Sequence, residues 1–157
     1  MALATPLFFT ASQDAQAITT AVDLFHITIA DDKPFYLWAL ELAQTTDLGD
    51  AAEEVLRLGF YSGVTGGGSG SALTEAATSD AHGATISSAI VGQGTASTGG
   101  TLRKVFSWNI RQAGPVWIAT PETAIRIGQG GSASAIRLLA APADSITVSA
   151  EITFAEG

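Results

Sequence analysis

Few side chains in this protein can do covalent or acid–base chemistry, and they can be taken in turn. There are two histidines, His26 and His82, and no cysteine. Zero cysteines excludes disulfides, thiolate zinc sites, iron–sulfur clusters and a cysteine nucleophile. His26 lies between Phe25 and Ile27. On an extended chain neighbours alternate sides, so it is expected on the face opposite those two, at the surface or partly packed. His82 precedes Gly83 and follows Asp80 by two residues. No His-x-His pair or histidine/glutamate helix motif accompanies it, so no metal site is expected.

Two adjacent carboxylate pairs stand out, Asp31-Asp32 and Glu53-Glu54. A glycosidase needs two carboxylates flanking one bond, but neighbours on a strand point to opposite faces. A turn and a helix or strand start account for them instead, and Asp31-Asp32 lacks the spaced oxygen ligands of a calcium loop. Gly66-Gly67-Gly68-Ser69-Gly70 lacks the Lys-Ser/Thr of a phosphate-binding loop, and no predicted helix follows it. Ser69 and Ser71 lack a nucleophile-elbow setting. The aromatic set Tyr36, Trp38, Tyr61, Trp108 and Trp117 could stack on sugars, yet each fits an alternating core or subunit-interface position. No acid–base or nucleophilic constellation emerges, so a non-enzymatic protein without metal or cofactor is expected.

The elements that would position these residues are strands. From Ser145 to Ala155, Ile146, Val148, Ala150, Ile152 and Phe154 alternate with Thr147, Ser149, Glu151 and Thr153. That period of two places one face on a core and the other in water. Val22 to Ile29 sets Phe25, Ile27 and Ile29 on one face. After the Asp31–Pro34 turn, Phe35 to Gln44 resumes, with Tyr36, Trp38, Leu40 and Leu42 on one side and Phe35, Leu37, Ala39 and Glu41 on the other. Ala51 to Tyr61 has helix formers and an Asp50 cap, but Leu56, Leu58 and Phe60 alternate, which favours a strand. Further strands are expected at Ala84–Val91, Thr101–Ile110, Val116–Ile118, Ala124–Ile127 and Ala135–Ala140.

Residues 62–100 differ in character, holding 10 of the 17 glycines, no aromatic residue, and only Glu75 and Asp80 as charges. This composition reads as a flexible Gly-rich insertion. Leu7-Phe8-Phe9 is apolar enough for a core strand or for an arm that adds to a neighbouring subunit's sheet.

With 157 residues the chain is expected to form one domain, 1–157. About nine or ten strands, no firm helix and frequent turn signals point to an all-β fold. The expected form is an antiparallel β-sandwich or jelly roll of Greek-key type. Seven Lys and Arg against 15 Asp and Glu give a net charge of −8. That argues against nucleic acid and anionic membrane as partners, because both are bound through clustered Lys and Arg. The start lacks the basic and apolar regions of a secretory signal, and no apolar run approaches the roughly 20 residues of a membrane helix. A soluble protein made without export is expected.

Three stretches carry a family likeness: Ala30-Asp31-Asp32-Lys33-Pro34-Phe35, Leu42 to Ala51 (LAQTTDLGDA), and Ala140-Ala141-Pro142-Ala143-Asp144-Ser145-Ile146. With them the chain resembles small structural proteins from the head-assembly regions of tailed bacteriophages and prophages. These include trimeric capsid decoration (cement) proteins, some with jelly-roll or tumour-necrosis-factor-like β folds. The resemblance implies a virion protein made in the host cytoplasm and seated on the capsid surface. It would be a homotrimer that holds the major capsid protein lattice together, and no catalytic residue carries over. The alternative is a carbohydrate- or receptor-binding β module of a phage fibre or spike.

Overall fold

The structure, a computed structural model, describes residues 7–49, 53–78, 86–128, 130 and 132–157. His82, Asp80 and the first residues of the strand expected at Ala84–Val91 lie outside them. Eleven strands are present: β1 (Phe8–Ile18), β2 (Val22–Thr28), β3 (Phe35–Gln44), β4 (Val55–Val64), β5 (Glu75–Ala77), β6 (Ala89–Thr95), β7 (Thr101–Asn109), β8 (Val116–Ile118), β9 (Ile125–Ile127), β10 (Ala133–Leu138) and β11 (Ile146–Glu156). They form two antiparallel sheets, ordered β5-β1-β11-β3-β8 and β6-β2-β10-β4-β7, with β9 also pairing β3, at Phe35–Leu37 where β8 takes Ala39–Glu41. The expected all-β sandwich is thus observed.

The connectivity is that of a jelly roll. β1 pairs β11, β2 pairs β10, β3 pairs β8 and β9, and β4 pairs β7. Each strand of the first half therefore meets its counterpart from the far end of the chain. Wrapping that long ribbon sets β11 against β3 and β10 against β4, which gives the two Greek keys of this architecture. The insertion between β4 and β7 widens both sheets on one side, since β5 joins β1 and β6 joins β2.

The core lies between the sheets. Ile146, Val148, Ala150, Ile152 and Phe154 of β11 are all buried, as their alternation requires. Phe154 stacks on Phe9 of β1 and Phe35 of β3 at ring-centre distances of 5.8 and 4.8 Å. Phe25 and Phe60 supply the facing layer. Each such ring contributes about 1.5–3 kcal/mol on burial. Polar side chains also join the sheets. The Trp108 indole donates to Gln44 Oε1 at 3.0 Å, while Gln44 Nε2 donates to the carbonyls of Thr46 and Ile110. At the opposite margin Gln13 Nε2 donates to the Leu24 carbonyl and Gln13 Oε1 accepts from the Gln93 amide.

Two expectations change and one open reading is resolved. First, β3 does not keep one parity. Its register with β11 passes from Ala39–Thr153 to Leu37–Phe154, leaving Trp38 as a bulge. Phe35 and Leu37 face the core on one side of this bulge, and Leu40, Leu42 and Gln44 on the other. An extra residue in one strand of a pair shifts the alternation in this way. Second, the apolar Leu7-Phe8-Phe9 is only the start of β1, which runs on to Ile18 past a second bulge at Asp14 and Ala15. It is a core strand of its own chain. Third, the strand expected at Ala84–Val91 begins at Ala89 and continues to Thr95, and β5 adds an element absent from the expected set. The ambiguous stretch before Tyr61 is a strand from Val55.

Candidate functional site

Asp23, His26 and Ser97 form a compact polar group. His26 alternates with Phe25 and Ile27, both in the core, so it projects from the opposite face of the second sheet as expected. It is nevertheless only 7% exposed. The reason is the glycine run. A Cβ placed on Gly67 would lie 2.6 Å from Asp23 Oδ2 and 3.0 Å from His26 Nδ1, and one on Gly68 would lie 3.1 Å from the imidazole. Both glycines have positive φ. The run composed like a linker thus lies on β2, and side chains there would hold it away.

The group has the residue types of a hydrolase triad without its wiring. His26 Nδ1 is 3.4 Å from Asp23 Oδ2, but Ser97 Oγ donates to Asp23 Oδ1 at 3.1 Å rather than to the histidine. A serine nucleophile needs its proton aimed at the base, and here it is aimed at the carboxylate. The Ser97 amide also donates to Asp23 at 3.0 Å, and Arg137 donates to the Ser97 carbonyl. The cluster ties loops to strands.

The adjacent carboxylate pairs are likewise separated. Glu53 is 3.5 Å from Arg111. Glu54 accepts the Ala143 amide on both oxygens at 3.1 Å. Asp31 and Asp32 sit exposed in a bend. A pair that shares a face comes from residues far apart in sequence: Glu41 of β3 stands directly opposite Glu151 of β11. Two sequence neighbours on a strand diverge, whereas two cross-strand partners share a face. The pair borders a shallow groove of about 420 Å3 on the outer face of the first sheet, with Asp14, Ala43, Gly114 and Val116 around it. Among the described residues no three His, Asp or Glu side chains are grouped to hold a metal ion.

The aromatic candidates divide. Trp108 is core. Trp117 meets Phe106 at 6.0 Å with Lys104 Nζ over both rings, which closes the margin between β7 and β8. Arg137 lies 4.0 Å over the Tyr61 ring and Arg126 5.8 Å over Tyr36. Trp38 packs edge-on against Phe8.

Besides Leu48 and Val55, the large apolar side chains that stay exposed among the described residues lie on β7 and β8. Leu102 and Val105 are 44% and 43% exposed, Val116 and Ile118 64% and 72%. Leu102 meets the side chains of Tyr61 and Leu139 over Gly59, and Val105 is the cross-strand partner of Gly59. β7 pairs only with β4, so its other edge has no strand partner among the described residues. Comparison with protein-family models, with curated proteins and with solved structures finds no match to this chain.

Proposed function

We propose that this chain is a non-enzymatic virion structural protein, a capsid decoration protein that binds the major capsid protein lattice as a homotrimer. The observation that carries the reading is the margin formed by β7 and β8. Four large aliphatic side chains stand exposed there, on strands joined by the Phe106–Trp117 contact. Leu102 and Val105 face outward from the second sheet and Val116 and Ile118 from the first, and exposed aliphatic side chains beside a free strand edge invite association. The jelly roll itself is an architecture common among capsid and lectin domains. Weak contacts repeated over a lattice add up to firm attachment.

Size-exclusion chromatography with light scattering, followed by sedimentation with capsids of the phage that encodes it, tests the reading. A trimer that pellets with assembled shells and not with unassembled subunits is expected. A monomer that stays in the supernatant overturns it.

One observation favours a second reading, a sugar- or receptor-binding module. Tyr36 and Trp38 are half-buried beside a cavity of about 260 Å3 near Glu156, and Trp38 Nε1 has no hydrogen-bond partner among the described residues. Tryptophan fluorescence that shifts on adding glycans, in a protein indifferent to capsids, would select it.

A further inference from the structure

Charge is sorted between two groups of neighbouring strands, one in each sheet. The three neighbouring strands β1, β11 and β3 carry Asp14, Glu151, Glu156 and Glu41 and no Lys or Arg. The three neighbouring strands β4, β7 and β10 carry Arg57, Arg103, Lys104 and Arg137 and no Asp or Glu. In a chain of net charge −8, four of seven basic residues thus lie on these strands. Lys104 shares the inner face with Phe60 and turns over Phe106 and Trp117, while Arg57 and Arg137 mark the outer face, away from the groove carboxylates of the first sheet.

The acidic side holds an uncompensated repulsion. Glu41 and Glu151 are directly opposed across β3 and β11, and neither carboxylate has a hydrogen bond or ion pair among the described residues. Like charges in that position destabilise a sheet. On the basic side the Arg57 guanidinium is also without a partner among the described residues. It extends from the same outer face as the apolar cluster of Tyr61, Leu102, Val105 and Leu139.

We infer that the groove on the first sheet takes the basic, apolar outer face of β4, β7 and β10 from a second copy of this chain. Arg57 would approach the Glu41–Glu151 pair, and Leu102 and Val105 would cover Ala43 and Val116. A standard interface buries about 800 Å2 per partner, about a tenth of the 7855 Å2 this chain exposes. The two patches are different surfaces, so the contact is head to tail. Such a contact continues until a ring closes and does not stop at a two-fold dimer. The inference rests on the self-association in the proposed function and names the surfaces that would carry it.

Two variants test it by light scattering. Glu41→Lys cancels the charge of the Glu41–Glu151 pair, leaving Asp14 in the groove, and turns a repulsive cross-strand pair into an attractive one. It should weaken self-association at least about tenfold while leaving the melting temperature of the monomer unchanged or raised. Arg57→Glu with Val105→Asp disables the other patch through two exposed residues. Each variant alone should be monomeric. Mixed in equal amounts, the intact groove of one and the intact patch of the other should give a one-to-one dimer and nothing larger.

Wild-type oligomers that persist in both variants would overturn this contact and leave the oligomeric reading standing. Variants that still form dimers on their own would show a two-fold interface and overturn it too. A wild-type chain that is monomeric in both low and high salt would sink the contact and the self-association together.

Discussion

Asp23 takes both the backbone amide and the hydroxyl of Ser97, 74 residues further along the chain, on its two carboxylate oxygens. Between the end of β6 at one edge of the second sheet and the start of β7 at the other, residues 96–100 must pass the intervening strands. They are tied to each in turn: Ser97 to Asp23 of β2 and to Arg137 of β10, and Thr98 to Thr65 just beyond β4. A fully buried aspartate is tolerated because its oxygens are satisfied.

Replacing Asp23 with alanine should therefore cost about 2–4 kcal/mol, because it strands a buried amide, a hydroxyl and the neighbouring imidazole. Asp23→Asn, which keeps one acceptor, should cost less. Urea denaturation measures both. A loss under about 1 kcal/mol for Asp23→Ala would mean that the crossing segment is held by something else.

The glycine run should respond unevenly to alanine. A Cβ on Gly70 would lie 1.5 Å from the Gly92 carbonyl oxygen, so Gly70→Ala must displace the segment paired beside β6. At Gly66 there is open space, and only the positive φ of 65° is unfavourable, a cost of about 1–2 kcal/mol. Thermal melts should rank Gly70→Ala well below Gly66→Ala. Equal effects would contradict the close approach.

How much of this was legible depended on whether a residue's role was local. The β11 alternation from Ile146 to Phe154 was visible because one unbroken strand covers one core. The β3 faces were misassigned because nothing around Trp38 marks a bulge, and a single added residue inverts every later position. β1 beyond Phe9 was hidden by Ser12, Gln13, Asp14 and Gln16. Gln13 is buried, yet its partners Leu24 and Gln93 lie on other strands. The same distance in sequence hid Glu41–Glu151 and Asp23–Ser97. Glycine content suggested mobility, and only the packed position of His26 shows what the missing side chains make room for.

The turn after β8 contains one perturbed acid. The Thr120 hydroxyl, first, and the Glu122 backbone amide, second, hold the fully exposed Glu122 carboxyl below the usual glutamate range. A depressed folded-state value means that the ionised form favours the turn. That preference is present above the ordinary glutamate pKa and is lost as pH falls through the lowered one. Thr120→Val should move the Glu122 titration upward toward the ordinary value in side-chain NMR. An unchanged titration would remove the hydroxyl as the cause.

The pairing of β1 with β11, Phe8 opposite Ala155 at one end and Ile18 opposite Ile146 at the other, bears on how the protein is made. β11 sits between β1 and β3, so neither of those strands has its central neighbour until residues near 156 have been synthesised. A growing polypeptide on the ribosome can assemble no complete version of that layer. Its folding waits on contacts between segments at opposite ends of the described sequence, the kind that form slowly, and the nascent chain must keep Phe9 and Phe35 from clumping in the meantime.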